Sequence, residues 1–380
     1  MKIVLHSKPK LLWIAVKLFD KAAAKVTYLE MIKNLAIDYE VFFLTGWRDK
    51  PVQIAVGPHP IRYFSQLGSG LMQKMTRRLF LAFSIRRNVI SICPDLIVIN
   101  CNDSPNALKV LAKLRKKMGF KVIMDVRTLP TEKEDIRGFG NLARGLCFSA
   151  RNLDGISYIT EELRYYCMVK FELPPHKFTT WSSGVDPELF CYPETVPQLP
   201  FKLVYHGGIL AACRGIDQLI FALDLVRDLN IQLVLISSLR EKRTIDLIDQ
   251  LNLTDRVVLL PPLPHSKIPE EIAKCHAGIL PFPENDAWKT SSPLKLFEYL
   301  ACGKPVIVTD IPAHRNVLKN SRFTFYSKNS EPEALADAIK RAFFALDAFK
   351  NFGFEARDLA LKDYTWAQQA AKLSRFLKTL

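Results

Sequence analysis

Two short segments put cations where a helix would ordinarily repel them. In KTSSPLKLFEYLACGKPVIVTD, residues 289–310, Ser292 suits an N-cap and Pro293 the first helical position. Gly303 stops the helix, and Pro305 to Val308 continue as a short buried strand. Lys295 falls in the first turn, where the aligned peptide dipoles already carry about half a positive charge. An added cation is sensible there if an anion lies between it and the free N–H groups. Glu298, one turn on and on the same face, offers a hydroxyl acceptor. A phosphate clamp with a carboxylate about a nucleoside's breadth away fits a nucleoside diphosphate. The plain alternative is a solvated Lys295–Glu298 pair worth a few tenths of a kcal/mol.

In LVYHGGILAACRGIDQLIFAL, residues 203–223, a strand leads into Gly207 and Gly208, a loop, and a helix that begins near Gly215. The glycine turn lets backbone approach a ligand, and Arg214 stands at the helix start, where its guanidinium could meet phosphate in bidentate fashion.

Strands and helices alternate along the chain, as in parallel α/β domains. Strands are expected at 2–6, 41–44, 95–100, 121–125, 155–160 and 178–182, with helices between most of them, such as Pro105 to Met118. The Pro-rich stretch 191–201 reads as a linker. A second series follows, with strands at 202–205, 231–236, 257–260 and 277–281, helices near 215–228, 241–251 and 267–275, and helical tails at 331–345 and 364–380. The expected organisation is a doubly wound domain over 1–190, a second over 191–360, and a final helix over 361–380 that packs back on the first. Such pairs bind ligands at the carboxyl ends of their strands, in the cleft they form.

The chain has 380 residues, 49% hydrophobic and 24% charged, the composition of a globular protein. No secretory leader is expected at MKIVLH, and no apolar run approaches the ~20 residues that cross a bilayer. Its eight Cys form no C-x-x-C pair, so neither zinc nor a disulfide framework is expected, and Glu284-Asn285-Asp286 reads as a turn; the expected location is the reducing cytoplasm. The net charge is +15, and residues 1–190 hold 29 Lys and Arg against 17 Asp and Glu. The densest basic stretch, Gln73 to Ile90, has apolar residues near helical spacing, which suits an anionic membrane surface or an anion-binding face. Without aromatic stacking residues among the charges, a nucleic-acid partner is not expected. At strand ends in the first half of the chain, Asp125 and Arg127 are the candidate catalytic pair, with His6, Asn100 and Asn102 behind them.

On these segments, and on the stretch 156–190 with Gly184, Val185, Asp186 and Phe190, the chain resembles GT-B glycosyltransferases, in particular the retaining family four. The likeness implies two Rossmann-like domains and transfer of a sugar with retention from a nucleotide sugar to a glycan, polysaccharide or lipid-linked acceptor, without a metal or other cofactor. It places the ribose hydroxyls on Glu298, the diphosphate on Arg214 and Lys295, and the phosphate and sugar near the amides of Ser291 and Ser292. Three departures accompany it: the first of the family's paired glutamates is Thr290, the loop Arg is Ile209 or Gly208, and the glycine turn after the first strand is Ser7-Lys8-Pro9-Lys10. Two other functions fit the same fold: a sugar-nucleotide epimerase or hydrolase, and a silent subunit that regulates a partner.

Overall fold

The computed structural model describes residues 7–18, 25–47, 55–56, 59–65, 70–100, 105–130, 135–193 and 197–380. They form two compact units: residues up to Ser182 with Trp366–Leu380, and Ser183–Thr365. The boundary lies earlier than residue 190 because Val185 and Phe190 are buried in the core of the second unit.

In the first unit the strands are β1 (Lys10–Leu18), β2 (Glu40–Trp47), the two-residue β3 (Ala55–Val56) and β4 (His59–Pro60), β5 (Arg62–Ser65), β6 (Leu96–Asn100), β7 (Lys121–Val126), β8 (Gly155–Tyr158) and β9 (Phe178–Thr180). The helices are α1 (Lys25–Leu35), α2 (Gly70–Ile92), α3 (Pro105–Met118), α4 (Ile136–Asn152) and α5 (Glu161–Lys170). The sheet runs β5-β2-β1-β6-β7-β8-β9, with every pairing parallel. Its central strands are mostly apolar, as in parallel sheets covered on both faces; Leu96–Asn100 is buried at every position. Asp135 caps α4 by accepting from the Gly138 N–H at 2.8 Å, and Thr160 caps α5 through Leu163.

The expected strand 2–6 and His6 lie outside the described residues, as does Asn102. The first described strand is the run at 10–18, so Ser7, Lys8 and Pro9 lead into a central strand. Leu11–Val16 is buried at every position, which identifies it as sheet interior.

The second unit repeats the pattern with β10 (Phe201–Leu210), α6 (Ile216–Asp224), β11 (Ile231–Arg240), α7 (Lys242–Gln250), β12 (Val257–Leu260), α8 (Ile268–Ala273), β13 (Ala277–Leu280), α9 (Asp286–Lys289), α10 (Leu294–Ala301), β14 (Val306–Thr309), α11 (Pro312–Leu318), β15 (Thr324–Ser327), α12 (Pro332–Phe344) and α13 (Phe349–Asp363). Its six parallel strands are ordered β12-β11-β10-β13-β14-β15. Strand order reverses between β10 and β13, so the crevice at their carboxyl ends is where such a sheet binds ligand. The last helix, α14 (Trp366–Leu377), belongs to the first unit: the Ser182 N–H donates to Gln369 Oε1 at 2.9 Å, and Ser374 donates to Asp38. Among the described residues no helix is long and apolar enough to cross a membrane.

Candidate functional site

The sequence places Gly207 and Gly208 in a turn after the strand; they lie within β10 instead. β11 runs on to Arg240 and carries the pairing with it, Gly207 opposite Ser237 and Leu210 opposite Arg240. A side chain at the two positions would meet different surroundings. A Cβ on Gly207 would stand 2.9 Å from Lys295 Nζ, and one on Gly208 would meet nothing within 4 Å. Beyond the strand, a single 3-10 turn, Ala212–Arg214, carries the guanidinium. Gly215 follows at φ +74°, packed so closely on the Pro281 carbonyl at the end of β13 that no side chain fits. Trp288 fixes the same turn by donating from Nε1 to Cys213 O at 2.9 Å, while its ring stacks on Phe282 at 4.1 Å.

Arg214 thus precedes the N-cap of α6, and the acid that stability favours is present after all. Asp217 occupies the first turn, bonded to Thr244 at 3.1 Å and paired with Arg243 at 3.1 Å. Arg214 has no such acceptor. Its guanidinium lies 5.2 Å from the centre of the Trp288 ring, and its buried Nε has no hydrogen-bond partner.

The helix α10 begins one residue later than expected. Pro293 is the N-cap, with extended backbone and no side-chain cap bond, and Lys295 is the second helical residue. Ser292 serves elsewhere: its Oγ accepts from the Ser183 N–H at 3.1 Å, and Ser183 Oγ donates to Ser292 O at 2.7 Å. The Ser291 N–H is spent on Trp288 O at 3.2 Å, so of the two serine amides expected to line a phosphate pocket, that of Ser291 is already engaged. The first N–H groups of α10 itself take no partner within the helix. Gly303, at φ +64°, ends the helix as expected.

Lys295 and Glu298 do not form the simple surface pair. Both are buried, at 7% and 3% exposure. The lysine ammonium sits 3.7 Å from the centre of the Tyr205 ring and has no hydrogen-bond acceptor. Burial, and then repulsion from Arg214, hold its pKa well below the usual lysine range. The Tyr205 hydroxyl next to it makes no hydrogen bond of ordinary geometry; burial pushes it up to about 12, against the lowering pull of the nearby Arg214 guanidinium. Lys295 Nζ, Arg214 Nε and Tyr205 Oη therefore bring unmet donors together beside Gly207.

Glu298, by contrast, has one hydrogen-bonded oxygen and a second that a histidine approaches without a hydrogen bond. His265 Nε2 donates to Oε1 at 2.7 Å, and His206 Nε2 lies 3.0 Å from Oε2. Burial alone would raise this carboxyl, but His206 first and then His265 outweigh it, and its pKa falls to about 2. His206 is held below the usual imidazole range by burial. Its backbone N–H donates to Tyr299 Oη at 3.1 Å, and the two rings meet edge to face at 5.3 Å. Neither histidine stands out in the sequence as a site residue. His206 leaves one usable signal, a polar residue ending an apolar strand next to Gly207. His265 lies 33 positions from its partner, and no local pattern points to it. Among the described residues no three His, Cys, Asp or Glu side chains are disposed to share a metal ion.

Thr290, in place of the expected first glutamate, closes α9 by donating to Asp286 O at 2.8 Å. Asn285 and Asp286 begin a short helix rather than a turn, with the Asn285 side chain as N-cap.

In the first unit, Asp125 is 0% exposed and accepts from Ser157 Oγ at 2.6 Å; burial raises its pKa. Asn100, also buried, donates to the Asp125 carbonyl at 3.1 Å. Arg127 lies over the Trp181 ring at 3.5 Å and donates to Trp181 O at 2.8 Å. One oxygen of the Asp125 carboxylate is thus tied to β8 through Ser157, while the other, Oδ2, is buried without a hydrogen-bond partner.

The comparisons bear on the second unit most directly. Residues 200–343 match the family described as glycosyl transferases group 1, a span that contains every residue of the site from Gly207 to Glu298. Solved structures are similar over nearly the whole chain. Sucrose-phosphate synthase from Thermosynechococcus elongatus superposes with a TM-score of 0.80 at 15% identity, covering 98% of this chain and 99% of that one. A glycosyltransferase from Rickettsia africae gives 0.76 at 14% identity, over 98% and 99% of the two chains. HepE of Anabaena, solved with UDP and glucose, gives 0.74 at 16% identity, over 99% and 100%. No curated protein sequence matches the chain. The fold is GT-B, with two Rossmann-like units. The match to group 1 glycosyl transferases falls within the second unit, over the stretch that holds both cation-bearing segments of the resemblance.

Proposed function

We propose that the protein is a glycosyltransferase that moves a sugar from a nucleoside-diphosphate sugar to a hydroxyl of a glycan or lipid-linked acceptor. The observation that carries this is the buried Lys295 ammonium, without an acceptor, at the opening turn of α10 and beside an equally unpartnered Arg214 Nε. An ionised diphosphate supplies the acceptors both lack, and hydrogen bonds to charged groups contribute roughly 1.5–3 kcal/mol each. Backbone at Gly207 and Gly208 leaves room for it, and the first N–H groups of α10, unpaired within the helix, add donors at the turn that carries Lys295. Glu298, kept ionised and oriented by His206 and His265, retains lone pairs for a ribose hydroxyl. As the bond from the sugar to the diphosphate breaks and the bond to the acceptor oxygen forms, charge develops on the departing diphosphate. Lys295, Arg214 and the helix amides meet that charge, which assigns to protein groups the part a metal plays elsewhere. The solved complexes of HepE with UDP and with UDP-glucose support a nucleotide-sugar donor. Retention of configuration is proposed from the family likeness alone.

The test is a panel of UDP, GDP and ADP sugars, scored by thermal shift and by nucleotide release with and without a membrane and glycan extract. Release that depends on the extract is expected. Equal release without it would make the protein a hydrolase, and conversion of the nucleotide sugar without release an epimerase; binding with neither would make it a silent subunit. Failure of every nucleoside diphosphate to stabilise the protein would refute the donor site.

A further inference from the structure

The first unit carries a charge asymmetry that donor binding does not use. Helices α2, α3 and α4 follow one another around the sheet, α2 packing on α3 and α3 on α4. Across all three there are thirteen Lys and Arg and no Asp or Glu. Random placement in a chain with 38 acids rarely leaves three adjacent helices without one. Among the described residues the one ion pair on these helices joins Arg115 to Asp154, at 2.5 Å.

The described side chains put these charges on the solvent side. On α3, Lys109, Lys113, Lys116 and Lys117 are exposed along one face while Leu108 and Leu111 are buried on the other. On α4, Arg137, Arg144 and Arg151 recur every seven residues and are all exposed. On α2, Leu81, Ile85, Val89 and Ile92 face the core, and Arg86 and Arg87 face out.

The outward face of α2 is not simply basic. Phe83 is 63% exposed and Ile90 51%, and they flank the two arginines at helical spacing. Ile136, at the start of α4, is 82% exposed. A soluble polyanion gives such residues nothing to bury into, and base stacking wants aromatic residues arrayed among the charges. A bilayer interface accommodates both: cations at the level of the phosphates, Phe and Ile below them.

We infer that the α2–α3–α4 face docks on anionic phospholipid, with Arg86 and Arg87 among the headgroups and Phe83 and Ile90 inserted beneath. Docking there does not depend on what the second unit binds. The experiment is co-sedimentation of the full chain with vesicles of phosphatidylcholine, with and without phosphatidylglycerol. Pelleting is expected only with the anionic lipid. Arg86→Gln/Arg87→Gln should weaken partitioning by about thirtyfold, the effect of two surface cations. Phe83→Ser/Ile90→Ser should weaken it as well, and the triple variant Arg137→Gln/Arg144→Gln/Arg151→Gln should do so from a separate helix. These positions are exposed, so circular dichroism should show all variants folded. Absence of binding to either vesicle overturns the inference, as does equal binding to both. Retention of binding by the Phe83/Ile90 variant, with displacement by polyuridylate, would assign the face to a soluble polyanion instead.

Discussion

Replacement of Lys295 by Met should stabilise the free protein and disable it. The ammonium is 7% exposed and has no acceptor, a loss of hydration that costs about 1–3 kcal/mol or more for a charged group. The Tyr205 ring, 3.7 Å away, returns about 1–2 kcal/mol of cation–π attraction. Met keeps the length of the chain and its contact with the Tyr205 and Phe282 rings while removing the charge. The net gain is about 1 kcal/mol, or roughly 2–4 °C in Tm for a unit of this size. The gain should also depend on pH. Because the folded pKa is depressed, the penalty is complete below that value and fades as pH rises toward the unfolded value near about 10.4. The advantage of the Met variant should shrink accordingly in alkaline buffer. Its nucleotide complex loses one charged hydrogen bond, about 1.5–3 kcal/mol, so Kd should rise roughly 10- to 150-fold. Differential scanning fluorimetry, with and without UDP, GDP or ADP, reads both effects. A variant that melts several degrees lower and still gains full stabilisation from the nucleotide would show Lys295 to be structural and refute this reasoning.

Other substitutions separate the parts of the site. Glu298→Gln should weaken donor binding and flatten the acid limb of stability: the ionised form stabilises fully above about pH 4.5, and the roughly 2–4 kcal/mol it contributes is lost as pH falls toward about 2. Acid titration of unfolding checks this; identical curves for both proteins would contradict it. Trp288→Phe keeps the stack on Phe282 but drops the bond to Cys213 O, so nucleotide Kd should rise about three- to tenfold, consistent with about 0.5–1.5 kcal/mol, with unchanged affinity as the adverse result. Gly215→Ala should lower the stability of the second unit by about 2 kcal/mol or more, because φ +74° and the Pro281 carbonyl both oppose a side chain. Gly207→Ala should leave the melting point nearly unchanged and weaken nucleotide binding, since its Cβ displaces only the flexible end of Lys295.

The architecture was legible where chemistry and period agree. Apolar runs such as Leu96–Asn100 and Val306–Thr309 are buried on every side, as strands of a parallel sheet must be. Helix α3 opens at Pro105 and closes at Met118 as its pattern requires. Errors arose where tertiary pairing overrides local signals. Two glycines looked like a turn, but an adjacent strand that continues to Arg240 keeps β10 straight through them. Ser292 and Pro293 looked like N-cap and first helical residue, yet Ser183 claims the hydroxyl and the helix starts after the proline. Strands β5 and β15 mix polar and aromatic residues, Arg62–Ser65 and Thr324–Ser327, where the equally short β12 is Val and Leu throughout, and the apolar stripe of α13 gave no warning before its capless start. Lys295 and Glu298 were readable as a pair because one helix carries both. That His206 and His265 close on Glu298 from two other elements, or that Asp125 accepts from Ser157, depends on contacts that no spacing records.

The central claim is that Lys295 and Arg214 await a diphosphate, and a crystal structure of the full chain with UDP, GDP or ADP addresses it directly. Phosphate oxygens should lie about 2.7–3.2 Å from Lys295 Nζ and the Arg214 guanidinium, with a ribose hydroxyl on Glu298. A nucleotide bound elsewhere, with the Lys295 ammonium still over Tyr205 and without an acceptor, would contradict it.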